Sequence, residues 1–196
     1  MKEDTVLFFM GWLYKFSGLK EIALQLAESK TRSLKLFIVG EGDTYEELQQ
    51  IREKYHLQNR IILTGKKPYE EIPAFIAASD ICLLPAYPWE PIMQDIVPIK
   101  MYEYMAMEKP VISTRLPGIV EEFGKDNGVV YIDKPEDVIA KAIELAQNGS
   151  ATELGLKARE FVVRNSWDNI TDEFEGILEQ IIKDKQDNIS ANIKTL

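Results

Sequence analysis

Short runs dense in Val, Ile, Leu and Phe recur along the chain, separated by longer stretches in which apolar residues return every third or fourth position. A brief unbroken apolar run fits a strand covered on both faces, and the longer periodic stretches fit helices that cross between parallel strands. The pattern predicts strands at Thr5–Met10, Leu34–Val39, Arg60–Thr64, Ile81–Leu84, Val111–Ser113 and Val129–Ile132. It predicts helices at Leu19–Ser29, Tyr45–Tyr55, Tyr69–Ala77, Ile99–Met107, Ile119–Phe123, Pro135–Gln147 and Glu153–Asn165, then an amphipathic helix from Asp168 to about Lys185. The fold class is therefore α/β: a Rossmann-like, doubly wound parallel sheet of about six strands with helices on both faces. A single domain over residues 1–186 accounts for the pattern, and residues 187–196, which lack a period, are expected to fray.

Local signals sharpen the boundaries. Ser17 ahead of Gly18-Leu19 and Asp43 ahead of Thr44-Tyr45 read as helix N-caps, and Pro135-Glu136-Asp137 reads as a helix head. In the last helix, Ile170, Phe174, Ile177, Leu178, Ile181 and Ile182 read most simply as core packing. One connection is abnormal. Pro85 to Pro98 are fourteen residues holding four of the nine prolines, where a strand-to-helix loop in such a sheet usually takes two to six. The loop leaves the carboxyl end of a strand, the edge along which ligands of open α/β sheets bind.

Composition narrows the chemistry. At 45% apolar and 28% charged over 196 residues, the chain can bury a core without staples. Cys82 is the lone cysteine, so no intramolecular disulfide forms and a reducing, cytoplasmic setting is expected. The net charge of −9 argues against nucleic acid or an anionic membrane surface as the main partner, so any bound anion must be held locally. No apolar run is long enough to span a bilayer, and a signal peptide's basic start is missing. His56, the one histidine, lies in a polar helix end, and acidic pairs spaced Asp-x-Asp are absent, so no metal site is expected. Gly40-Glu-Gly-Asp-Thr-Tyr45 approaches a dinucleotide fingerprint but places Tyr45 where the third small residue belongs, which excludes a dehydrogenase reading.

The helix after the long loop carries the candidate chemistry. Ile99, Tyr102, Met105 and Ala106 follow helical spacing as a buried stripe, which leaves Lys100 and Glu103 on another face. Three residues along a helix is about 4.5 Å of rise, so an ammonium and a carboxylate there can address neighbouring parts of one ligand. The first amides of this helix, near Ile99, Lys100 and Met101, add to a local anion site, and Glu103 can accept two hydroxyls such as those of a ribose.

At this point the residues carry a resemblance. Pro98-Ile-Lys-Met-Tyr-Glu-Tyr-Met-Ala-Met-Glu-Lys-Pro-Val-Ile-Ser113 resembles the donor-site segment of the GT-B glycosyltransferases, the family of sucrose synthase and many polysaccharide and glycolipid transferases. Phe9-Met-Gly-Trp-Leu13, Leu36-Phe-Ile-Val-Gly-Glu-Gly42, Ile61-Ile-Leu-Thr-Gly65, Leu83-Leu-Pro85, Pro117-Gly118 and Ser166-Trp167 extend it in order along the chain. The resemblance implies the C-terminal, donor-binding half of such an enzyme. Its partners would then be a nucleotide-diphosphate sugar, as donor substrate and not as a cofactor, and an N-terminal acceptor-binding domain in cis or as a separate chain; a homodimer is a further expectation.

Residue by residue, the resemblance implies transfer with retention, with Lys100 and Glu103 in the catalytic site and Glu103 on the ribose. A sugar-gripping acid is expected eight positions before Glu103, where Asp95 stands, with Glu90 as the alternative. The turn Gly65-Lys66-Lys67-Pro68 would meet the base. Gly11, Trp12 and Ile99 complete the expected donor site. The family often places an Arg and a Lys at the positions held here by Trp12 and Ser17, so Lys100, Lys15 or Lys20 would have to stabilise the leaving diphosphate, a term worth about 3–4 kcal/mol per donor. Trp12 would either stack on the ligand or cap the sheet edge.

Overall fold

The computed structural model describes residues 4–194, with side chains described as far as 186. Six parallel strands form one sheet: β1 (Thr5–Met10), β2 (Leu34–Val39), β3 (Ile61–Leu63), β4 (Ile81–Leu84), β5 (Val111–Thr114) and β6 (Val129–Ile132). Their order across the sheet is β3-β2-β1-β4-β5-β6, so the chain starts in the middle and winds outward in both directions. The helices are α1 (Leu19–Glu28), α2 (Tyr45–Lys54), α3 (Ile72–Ala77), α4 (Lys100–Ala106), α5 (Pro117–Phe123), α6 (Val138–Asn148), α7 (Ala151–Arg164) and α8 (Trp167–Lys194).

The period of two along β1 sorts the core into two layers. Leu7 and Phe9 join one cluster with Leu19, Ile22, Leu48 and Val138 from α1, α2 and α6. Phe8 and Met10 join the other, with Ile76, Met101, Tyr104, Phe123 and Ala158 from α3, α4, α5 and α7. Because both faces are covered, strands read as unbroken apolar runs, which is why their positions were plain in the sequence.

Several expectations need correction. Ser17 does not cap α1: Gly18 holds that position at φ 68°, and the Ser17 hydroxyl is buried without a hydrogen-bond partner. Nor does Asp43 cap α2. Thr44 takes the position and turns its hydroxyl to the Leu13 carbonyl, 3.2 Å away, tying the two loops together. Tyr69–Glu71 and Pro135–Asp137 are tight 3-10 turns leading into α3 and α6.

The terminal helix departs most. Phe174, Ile177 and Ile182 are each more than half exposed, and Ile170, Leu178 and Ile181 are exposed too, so this stripe is not core. The helix leaves the body after α7, whose own apolar face already covers α4 and α5, and no described element packs along it. Its backbone runs on past Lys185 to Lys194; the side chains of the segment expected to fray lie outside the described residues.

Candidate donor site

The centre of the sheet supplies the geometry. β1 pairs with β2 as far as Met10 opposite Val39, but with β4 only at Leu7 and Phe8, so a crevice opens between β1 and β4 at their carboxyl ends. This is the switch point at which ligands of doubly wound sheets bind. Past the last β4 pairing, the peptide groups of Met10 need other partners. Both come from α4: the Met10 N–H donates to the Tyr104 hydroxyl at 3.0 Å, and the Lys100 ammonium donates to the Met10 carbonyl at 2.7 Å.

Lys100 is thereby aimed into the crevice. Its ammonium also lies 4.5 Å from the centre of the Phe9 ring. Gly11 makes room for it: the backbone there has φ 120°, and a β-carbon would stand 2.7 Å from the Lys100 ammonium. Burial pushes the Lys100 pKa down to about 8, partly opposed by the nearby Glu103 carboxylate. A desolvated ammonium in that state gains strongly from an incoming anion.

Around Lys100 and Glu103 lies a cleft of about 600 Å³, whose walls include Gly11, Trp12, Lys66, Lys67, Ile99 and Tyr69. Three lysines, Lys66, Lys67 and Lys100, and two carboxylates, Glu41 and Glu103, line this cleft in a protein of net charge −9, so cations outnumber acids there. On the other side of Lys100 is a cavity of about 190 Å³, walled by Trp12, Tyr14, Phe16, Ser17 and Met93. The Tyr14 and Phe16 rings stack at 4.7 Å along this wall. A third hollow, about 1060 Å³, runs from Glu103 along α4 to Arg159 and Trp167.

Most of the expected site residues are brought together. Gly11, Trp12, Lys66, Ile99, Lys100 and Glu103 share the 600 Å³ cleft. Gly65 stands beside it, its carbonyl accepting from the Gly40 N–H at 2.9 Å. Met101 does not join them: it is fully buried, and its N–H donates to the Pro98 carbonyl at 3.0 Å. The buried stripe of α4 is Met101, Tyr104 and Met105, while Ile99 is 63% exposed, so the expected stripe was rotated about the helix. Apolar residues surround this helix almost entirely, and periodicity alone could not choose the face.

The loop acids Glu90 and Asp95 line none of the three cavities. Their loop is nevertheless well anchored. The Gln94 amide donates to the Pro88 carbonyl at 2.6 Å, Thr114 to Ala86 at 2.6 Å, and Tyr87 to Glu21 at 2.7 Å. Lys20 pairs with Glu47 at 2.6 Å and Lys15 is exposed; neither borders the cavities. Cys82 is fully buried, and burial raises its thiol pKa, as suits an inert core residue. A participant that the sequence reading missed is Tyr69, whose hydroxyl donates to Glu103 Oε1 at 2.7 Å. The partners are 34 positions apart, and no local pattern signals the contact.

Comparison with known proteins identifies the family and the fold. The profile of the family described as "Glycosyl transferases group 1" matches residues 4–148. The chain belongs to the group 1 glycosyltransferases. Among its relatives is TuaH of Bacillus subtilis strain 168, a glycosyltransferase named for teichuronic acid biosynthesis: it is 32% identical over 157 residues, which are 77% of this chain and 37% of TuaH. Among solved structures, Anabaena Alr3699/HepE in complex with UDP and glucose superposes with a TM-score of 0.72 at 18% identity, over 91% of this chain and 49% of that one. Sucrose-phosphate synthase of Thermosynechococcus elongatus gives 0.72 at 23% identity, over 92% and 46%. At these identities the structures establish the shared GT-B fold, and the chain spans less than half the length of each of these three proteins. Among the described residues no helix is long and apolar enough to cross a membrane.

Proposed function

We propose that this chain is the donor-binding half of a cytoplasmic glycosyltransferase. It holds a nucleotide-diphosphate sugar at the β1/β4 crevice and, with an acceptor-binding half in cis or as a separate chain, transfers the glycosyl group with retention. The observation that carries the reading is the pairing of Lys100 and Glu103, one helical turn apart, on the wall of one cleft at the switch point. Lys100 faces the diphosphate, Glu103 the ribose, and the Lys66-Lys67 turn borders the base. The glycosyl group then lies beyond Lys100, toward the aromatic 190 Å³ cavity and the loop carrying Glu90 and Asp95. The protein's work in this scheme is positioning and charge stabilisation of the leaving diphosphate, with no metal or further cofactor.

One observation favours a second reading, a subunit that binds a nucleotide sugar without chemistry. Where the resemblance implies two further cations, the structure has Trp12 and a buried, unpartnered Ser17 hydroxyl. Calorimetric titration of the chain with UDP, GDP and ADP tests the donor site itself. Saturable binding of at least one is expected, and absence of binding for all three at millimolar concentration overturns it. Adding a co-purifying or genomically adjacent acceptor domain together with the sugar nucleotide separates the two readings. Product with the donor's anomeric configuration supports the enzyme half, and binding without turnover supports the second reading.

A further inference from the structure

Beyond the Lys100 ammonium, the side chains around the 190 Å³ cavity are nearly all hydrocarbon or aromatic. Phe9, Leu84, Ala86 and Met93, all buried, form its inner wall, and Trp12, Tyr14, Ile92 and Ile96, all exposed, form its outer one. The loop from Pro85 to Pro98 contributes Ile92, Met93 and Ile96 to the lining, whereas its acids Glu90 and Asp95 do not reach it. One small polar side chain does. Ser17 lines the cavity, is only 6% exposed, and its hydroxyl has no hydrogen-bond partner. We propose that this cavity selects a 6-deoxyhexosyl group, a sugar ring with a methyl where a hexose carries a hydroxymethyl, and that the Ser17 hydroxyl bonds one of its ring hydroxyls. This rests on the donor-site reading given above and names the substrate class of that site.

Size and polarity lead to this assignment. Sites for drug-sized ligands take about 300–1,000 Å³, so a cavity of about 190 Å³ admits one small ring and not a nucleotide. A sugar ring has apolar C–H faces and a rim of hydroxyls. The faces find an aromatic surface here, since the Tyr14 and Phe16 rings stack and Trp12 stands 6.4 Å from Tyr14. The hydroxyls are harder to place, because each one buried without a partner gives up its bonds to water for nothing. Ser17 can both donate and accept, so it serves one ring hydroxyl and is itself satisfied in return. The Lys100 ammonium is already committed to the Met10 carbonyl. C6 extends farthest from the ring, which sets its substituent against the inner wall. A hydroxyl there would meet only the carbon and sulfur side chains of Phe9, Leu84, Ala86 and Met93, whereas a methyl buries apolar surface against them. An N-acetyl group also ends in a methyl, but it brings an N–H and a carbonyl that would need partners of their own.

The experiment is calorimetric titration of the wild-type chain, Ser17→Ala and Ala86→Ser with UDP, UDP-glucose and UDP-6-deoxyglucose, and with GDP, GDP-mannose and GDP-6-deoxymannose. Within each base the two conjugates differ by one oxygen. For the base that binds, the 6-deoxy conjugate is expected to be tighter than its hexose counterpart by about tenfold in the wild type. Ser17→Ala weakens both conjugates about three- to tenfold and leaves the free diphosphate unchanged, because only the sugar meets that hydroxyl. Ala86→Ser puts a hydroxyl on the inner wall and brings the ratio between the conjugates down to about threefold or less. Equal affinity of the two conjugates in the wild type, or a tighter hexose, overturns the proposal. So does a Ser17→Ala loss that is as large for the free diphosphate as for the conjugates, or UDP-N-acetylglucosamine binding more tightly than UDP-6-deoxyglucose. Failure of the wild type to bind either free diphosphate overturns the donor-site reading and this inference with it. Binding of a free diphosphate with no preference between its conjugates overturns this inference alone.

Discussion

Helices α4 and α8 carry similar kinds of residue and end in opposite situations. α4 is seven residues long, nearly all apolar around its circumference, and wedged between β1 and α7, so its two polar side chains, Lys100 and Glu103, are forced into the crevice. α8 is 28 residues long and distinctly amphipathic, yet its apolar stripe from Ile170 to Ile182 is exposed. Amphipathicity therefore states that a helix has a face to bury, and not what it buries that face against. On α4 the partner is in this chain; on α8 no described residue supplies one.

The comparison can be broken by moving a charge from one helix to the other. Met105→Asp puts an unpaired carboxylate into the fully buried face of α4, and loss of packing and desolvation together should cost more than about 4 kcal/mol, enough to unfold the domain in a denaturant titration. Retention of a cooperative fold near wild-type stability would show that α4 is not the fixed platform described here.

A smaller effect separates binding from stability at Lys100, whose pKa is lowered to about 8 from the usual 10.5. Between those values the unfolded chain holds the proton that the folded chain has lost, so this group makes folding more favourable as pH rises through that window. Nucleotide binding should move the opposite way. Affinity for a nucleoside diphosphate falls as pH rises past about 8 and the ammonium is lost, in titrations run from pH 7 to pH 9.5. Affinity that stays flat across this range would remove Lys100 from the anion site.

The smallest expected effect is the informative counterpart of the first. Phe174→Asp on α8, at a position 58% exposed, should shift the stability of the isolated chain by no more than about 0.5 kcal/mol. A large loss would mean that the stripe is covered in solution, for instance by a second copy.

The same contrast explains what was legible beforehand. The strands were plain because the central ones, β4 and β5, are apolar runs covered on both faces, and β1, β2, β4 and β6 keep the bounds that the pattern predicts. The convergence of Lys100 and Glu103 was legible too, since both lie within one turn of a helix that follows an unusually long loop. The face of α4 was not, because it is chosen by the Tyr104 bond to Met10, across 94 positions, which leaves no periodic trace. Ser17 misled for a related reason: a serine before a helix suggests a cap, but Gly18 adopts the left-handed turn that starts α1. Tyr69 was invisible because its partner lies on another element. Packing of a strand is written locally; hydrogen bonds between distant elements are not.

The central claim is that Lys100 holds the phosphates and Glu103 the sugar of one nucleotide. Its most direct test is calorimetric titration of wild type, Lys100→Ala and Glu103→Ala, each with a nucleoside diphosphate and with the matching nucleoside at a single pH near 7. Lys100→Ala is predicted to weaken the diphosphate by about tenfold or more, roughly 1.4 kcal/mol, and to leave the nucleoside unaffected, whereas Glu103→Ala weakens both by a similar factor. Wild-type diphosphate affinity in both variants, or a loss of nucleoside binding in Lys100→Ala as large as that of the diphosphate, would contradict it.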